Sequence, residues 1–349
     1  MNFRFFSPVA LATALQPAAA CPGRRAARSE SSSSVFNRES RRACDSSLRG
    51  LLALSVLAVG FMGPRAFAGG PEGAITADKL DLIFVVDASP SMSDENEALT
   101  DGLYSGLVAP LENRGKDVRV IVVAQFGTTG AELCFENPLG AIPFGGCDFS
   151  PPEPVNTPGF KHYSNAVWSW DAWCDLLGTY DGTLPDGFSQ APEGWSIWLR
   201  EEAFKHIFIL SDADTACSYD GETYNTNDGL WPSYPEVLAA TFDDALRGLS
   251  ETQFGTAADR RYMVHSIVGV PDNPLRPVAI WFAPEPIPFG KCTFRPSEEP
   301  GHGHQALSRL TGGIRYSVCR YTTDDLSFYN VVNFHPALFI DRLEMPSVK

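Results

Sequence analysis

Residues 80–86 read LDLIFVV, one carboxylate among six apolar side chains, and no other stretch limits the fold as much. Such a run fits a strand covered on both faces, the situation of parallel sheets in α/β proteins. The stretches after it alternate in the same sense. Residues 93–111 have helical periodicity, with Ser93 as N-cap, Asp94, Glu95 and Glu97 in the first turn, and Leu99, Leu103, Leu107 and Leu111 on one face. Further strands are expected at 118–124, within 203–210, at 262–270 and, as an edge, at 314–318. Helices are expected at 170–177, 236–249, 305–310 and, closing the domain, 325–338. This is an α/β domain with a mostly parallel sheet. Long Gly- and Pro-rich excursions interrupt it at 127–159 and between 270 and 300.

Charge divides the chain in two. The formal net charge is −15, yet residues 1–68 hold nine Arg, no Lys and three acids, which leaves 18 basic and 39 acidic residues beyond them, a net −21. A body this acidic excludes phosphate-backbone binding as its principal activity and disfavours anionic membranes. It suits divalent cations better. Within the leading piece, Arg41, Arg42 and Arg49 precede the apolar run 51–62, and Ala66-Phe67-Ala68 follows it. Those are the parts of a secretory signal, with a core at 41–68, and the run is short for a membrane-spanning helix. About forty residues rich in Ser, Arg and Ala come first, so either initiation lies downstream of Met1 or a second, organelle-type signal is present. Ser40-Arg41-Arg42 and Ala18-Ala19-Ala20-Cys21 only hint at twin-arginine and lipoprotein signals. The expected organisation is an export segment over 1–68, a linker over 69–78, one domain over 79–340 and a tail over 341–349. No transmembrane span remains after signal removal, and the mature chain is expected in the periplasm, on the cell surface or in the medium.

Removing residues 1–68 takes away Cys21 and Cys44 and leaves Cys134, Cys147, Cys174, Cys217, Cys292 and Cys319. An even set in an exported chain suggests disulfides, although six cysteines allow 15 connectivities. Pairing neighbours gives Cys134 with Cys147, Cys174 with Cys217 and Cys292 with Cys319. No CxxC or HxxxH spacing supports zinc.

The chemistry-bearing feature is Asp87-Ala88-Ser89-Pro90-Ser91, a D-x-S-x-S run between the first strand and the first helix. Ligands of open α/β sheets bind at the carboxyl ends of strands. One carboxylate and two hydroxyls spaced two apart present hard oxygens to one side, a donor set that suits Mg²⁺. Away from such a strand exit, the same residues would read as an Asx turn with a cap. A second acid, Asp212, stands at the end of another strand, where 207–210 runs into Ser211-Asp212-Ala213-Asp214. If the two strands are neighbours, Asp212 faces the Asp87 loop. Asp214 stands either as a solvated loop acid or as part of the same site.

These residues, together with Leu307-Ser308-Arg309-Leu310-Thr311-Gly312-Gly313 ahead of the last strand, resemble a von Willebrand factor type A domain over roughly residues 79–340. The resemblance implies a Rossmann-like, three-layer α/β/α sandwich, here with long disulfide-bearing insertions. It further implies a metal-ion-dependent adhesion site in which Asp87, Ser89, Ser91 and Asp212 surround Mg²⁺, with Mn²⁺ or Ca²⁺ as alternatives. A partner's carboxylate completes the coordination. Pro90 stands where Gly is frequent, and Ala213 follows Asp212 in place of Gly. The family's Thr ligand has no clear match. Ser164, Ser169, Thr129 and Thr157 compete for that role, and Ser169 is preferred because it stands ahead of a helix that a Cys174–Cys217 bridge would hold near the Asp212 loop.

Enzyme motifs are missing: no G-x-x-x-x-G-K-[ST], no H-E-x-x-H and no G-x-S-x-G occurs. His302-Gly303-His304 reads as a flexible polar loop, and His206 and His265 as residues inside strands. Trp168, Trp170, Trp173, Trp195, Trp198 and Trp231 cluster in the insertions, as satellite cores under loops or as an aromatic contact surface for a protein or a glycan. The leading expectation is a non-enzymatic, exported binding module for a protein ligand presenting Asp or Glu. A metal-assisted hydrolase and a structural domain with a vestigial site are the rivals.

Overall fold

The computed structural model describes residues 78–149, 153–227, 234–275, 280–293 and 297–320. The expected export segment, Trp231 and the helix expected at 325–338 lie outside the described residues. A seven-stranded sheet is formed by β1 (Lys79–Val86), β2 (Asp117–Ala124), β3 (Phe160–Ser164), β4 (Phe204–Leu210), β7 (Tyr262–Val268), β8 (Ile280–Trp281) and β9 (Arg315–Ser317). Its order is β3-β2-β1-β4-β7-β9-β8. All neighbours run parallel except β8, which is antiparallel to β9. A separate antiparallel hairpin joins β5 (Ala216–Tyr219) to β6 (Glu222–Asn225).

The apolar run at 80–86 becomes the central strand β1, paired with β2 on one side and β4 on the other. Side chains alternate between the two faces of a strand, so β1 feeds two separate cores. Leu82, Phe84 and Val86 join Leu99, Leu103, Leu107 and Leu111, the helical stripe read from the sequence. Ile83 and Val85 join Trp173, Leu176, Phe242 and Leu307. The first set packs with α1 (Ser93–Leu103) and α2 (Ala109–Glu112); the second with α3 (Ala172–Tyr180), α4 (Tyr234–Leu249) and α6 (His302–Thr311), α5 (Glu251–Phe254) being a short turn after α4.

The helix expected over 93–111 is not uniform. Tyr104–Val108 is π-helical, and Ala109 donates to Tyr104 O. Pro110 explains the widening, because it has no N–H for the carbonyl of Gly106 and its ring crowds that carbonyl. Ser93 is the first helical residue rather than the cap. A 3₁₀ turn, Pro90–Met92, leads into it, and the cap position falls on Met92 without a side-chain bond.

Three further expectations change. Strand β3 was not anticipated within the region around 127–164, nor were the β5–β6 hairpin and β8. The strand expected as an edge at 314–318 is β9, and β8 covers it. His302-Gly303-His304 opens α6 instead of forming a loop. Disulfides join Cys134 to Cys147, Cys174 to Cys217 and Cys292 to Cys319, the neighbour pairing. Inside the first excursion the Glu136 carboxylate accepts from Gly145 N (2.8 Å) and Cys147 N (2.9 Å), which fixes the chain around its bridge. Trp173 stacks on Phe242 at 4.5 Å and Trp195 meets Tyr180 edge-on at 5.1 Å, so these two indoles are core. Among the described residues no helix is long and apolar enough to cross a membrane.

Candidate functional site

Strands β1 and β4 are neighbours in parallel register, Val86 opposite Leu210. The ladder continues one bond beyond, with Asp87 N donating to Leu210 O at 3.0 Å. Asp87 therefore leaves the sheet opposite Ser211, one residue before Asp212, at the carboxyl edge where parallel sheets place their ligands.

Asp87 is fully buried, and Ser89, Ser169, Ser211 and Asp212 are buried around it. Its Oδ1 accepts from Ser89 N at 2.8 Å, the bond of an Asx turn. Its Oδ2 accepts from Ser211 Oγ at 2.8 Å. The hydroxyls of Ser89 and Ser169 also act on this carboxylate, favouring its charged form. Ser89 Oγ lies 2.9 Å from Ser91 Oγ, and Ser91 in turn favours the charged form of the Asp212 carboxylate. The structure thus links Asp87, Ser89, Ser91, Ser169 and Asp212 into one constellation. The competing hydroxyls are engaged elsewhere: Ser164 Oγ accepts from Phe126 N, Thr129 Oγ1 donates to Glu132, and Thr157 Oγ1 accepts from Phe160 N.

The electrostatics are those of two carboxylates in a small space. Burial pushes the Asp87 carboxyl above its ordinary value, against the pull of its hydrogen bonds. Asp212 is pushed up to about 6, first by burial and then by the neighbouring Asp87 charge, with Glu298 adding to the effect. Asp212 Oδ1 is buried with no hydrogen-bond partner. A buried carboxylate oxygen without a donor is costly, so this atom marks a position where a positive charge or a donor is wanted. Two carboxylates and three hydroxyls form an oxygen-only set suited to a hard divalent cation. Among the described residues no group of three or more His, Cys, Asp or Glu is arranged for a metal, and this constellation reaches five donor residues only by counting hydroxyls.

Two residues that hold the site were not singled out by sequence reasoning. Ser211 Oγ lies between Asp87 Oδ2 and Ser169 O (3.0 Å), so one hydroxyl ties the Asp87 loop to the Ser169 loop. Asn96 Nδ2 donates to Asp87 O (2.9 Å) and Ala131 O (2.7 Å), fastening that loop to the first excursion. Adjacency to Asp212 could have flagged Ser211. Nothing local could have paired Asn96 with Ala131, 35 residues away.

Asp214 has a structural position. Buried, it accepts from Thr215 N (3.0 Å), His302 N (2.7 Å) and Gly303 N (2.9 Å), the cap of α6. Glu299 completes the tie, its N donating to Asp212 O and its Oε2 accepting from Asp214 N, both at 2.9 Å. His304, buried one turn into α6, is lowered to about 4 by burial and is a neutral core imidazole. His206 and His265 are likewise in the core, with His206 Nδ1 3.1 Å from His265 Nε2. Trp168 and Trp170, the residues on either side of Ser169, stand 52% and 47% exposed. Comparison with family models, with curated proteins and with solved structures finds no match for this chain.

Proposed function

We propose that the chain is a divalent-cation-dependent binding module of the von Willebrand factor type A kind, with its helices layered α/β/α about the parallel sheet. The observation that carries this reading is the pair Asp87 and Asp212, two buried carboxylates among serine hydroxyls that feel each other's charge, with Asp212 Oδ1 left without a donor. Asp87, Ser89, Ser91, Ser169 and Asp212 would hold Mg²⁺, and Mn²⁺ or Ca²⁺ suits the same oxygens. When bound, the cation supplies a coordination position that a partner's carboxylate can take from water. Asp87 stays fixed by Ser89 N and Ser211, Ser169 is carried on a turn tied to Ser211, and Ser91, the exposed member, faces the solvent side. The export signal, the three disulfides and the acidic mature domain support a module that works outside the cytoplasm on a protein presenting Asp or Glu, or on a glycan.

Thermal unfolding with and without Mg²⁺ tests the reading. Millimolar Mg²⁺ is expected to raise the melting temperature of the wild type and to leave Asp87→Ala unchanged. An equal shift in both proteins would refute the site.

A further inference from the structure

The turn that carries Ser169 is held with unusual completeness while its largest side chains stay outside. Val167 O accepts from Ala88 N (2.8 Å), Trp168 O from Asp171 N (2.9 Å) and Trp170 O from Ala216 N (3.1 Å), while Ser169 O faces Ser211 Oγ at 3.0 Å. Four successive carbonyls are thus occupied, and the Cys174–Cys217 bridge crosses between the same two segments. On this fixed backbone two indoles remain about half in water. Core packing does not account for them, in contrast to buried Trp173 and Trp195. Two exposed indoles on a turn whose backbone is already fixed offer amphipathic contact area at a reduced ordering cost, which is the property of a recognition surface.

The charge of the segments that build the site and its turn narrows the partner. Segments 87–97, 165–175, 211–217 and 297–303 contain no Lys or Arg, and besides Asp87 and Asp212 they carry eight further acids, Asp94, Asp171 and Glu298 among them. Lys291 approaches one of them, but its Nζ donates to the carbonyls of Ser297 (2.7 Å) and Glu298 (2.9 Å). A ligand with several negative charges is therefore repelled, and one carboxylate can be accommodated only through the cation. An Asp or Glu side chain brings that carboxylate on a slim aliphatic stem with no flat face for an indole. A carboxylated sugar brings it on a ring whose C–H face can lie against Trp, with hydroxyls for the surrounding oxygens.

We infer that the site recognises a carboxylated sugar unit, a uronic acid residue of a glycan, its carboxylate directed to the cation and its ring held by Trp168 and Trp170. This inference rests on the metal-dependent reading above. Calorimetric titration of the full chain in Mg²⁺ compares methyl glucuronide, methyl glucoside, acetate and N-acetyl-aspartate methylamide. Methyl glucuronide is expected to bind at least about tenfold more tightly than the other three, and Trp168→Ala and Trp170→Ala each to weaken it about fivefold while leaving the melting temperature and its Mg²⁺ shift intact. Tighter binding of the aspartate derivative would overturn the inference in favour of a peptide partner. Equal binding of the neutral glucoside would overturn the role of the carboxylate, and unaltered affinity in both Trp variants would overturn that of the indoles. If sugar binding fails while Mg²⁺ still stabilises wild type and not Asp87→Ala, the sugar inference alone falls; if the Mg²⁺ response is missing as well, the metal reading falls with it.

Discussion

Strand β1 has a buried carboxylate near each end, and the two are treated in opposite ways. At its amino end Asp81 accepts from Arg200 N and Arg200 Nε, both at 2.8 Å, and Lys205 lies close enough to add attraction. Burial still raises the Asp81 carboxyl above its ordinary value, but each neighbouring charge there lowers it. At the carboxyl end Asp87 is supported by hydroxyls and one N–H, and Asp212 beside it is raised by burial, by Asp87 and by Glu298. Asp243, on the buried face of α4, follows the Asp81 pattern with Arg260 and Arg247. The fold therefore has the means to neutralise a buried acid and does not use them at the site. Buried charges without partners are costly, and the proposed cation would offset that cost at Asp87 and Asp212.

The comparison can be broken or sharpened by substitution, beginning with the largest effect. Asp81→Ala strips Arg200 of its buried partner and is expected to cost about 3 kcal/mol in urea unfolding, equally with and without Mg²⁺. A cost that depends on Mg²⁺ would erase the distinction between the two ends. Asp175 gives the next test, as another buried acid with an oxygen, Oδ2, unpartnered. Burial, with Asp171 adding to it, pushes its carboxyl from 3.8 up to about 7. Between those pH values the folded state keeps a proton that the unfolded chain has released, so stability falls as pH rises through this window. Asp175→Asn is expected to stabilise by roughly 2–4 kcal/mol at pH 8 and by almost nothing near pH 4. A pH-independent effect would contradict that origin. Ser211→Ala removes the hydroxyl between Asp87 and Ser169 and is expected to cost about 1 kcal/mol, with a weakened Mg²⁺ response as its signature. An undiminished Mg²⁺ response would mean that the two loops hold their geometry without it.

What the sequence made legible follows from how local each signal is. Asp87, Ser89 and Ser91 lie within five residues at the end of an apolar run, so strand, turn and donors could be read together. Asp212 was readable for the same reason at β4, and its closeness to Asp87 needed only that β1 and β4 be neighbours, as they are. Ser169 depended on a long-range argument through Cys174–Cys217, a bridge spanning 43 residues. Asp214 escaped because its partners, the N–H groups of His302 and Gly303, lie 88 and 89 residues away. Strand β3, FKHYS, hides in a stretch where Lys161 and His162 interrupt the apolar pattern, and its place is set by pairing with β2 and by the Asp186 carboxylate accepting from Ser164 N. Strand β8 has two residues, too few for any periodicity. The π-helical segment could have been suspected from Pro110, since the missing N–H must be accommodated somewhere in the preceding turn.

The central claim is that the unneutralised pair at the carboxyl end of β1 and β4 is a cation site. Isothermal titration of Mg²⁺ into wild type and Asp212→Asn, under identical salt and pH, tests it most directly. One saturable site in the wild type, lost in Asp212→Asn, is the expected result. Saturable binding of equal affinity in both proteins, or no binding in either, would contradict the account.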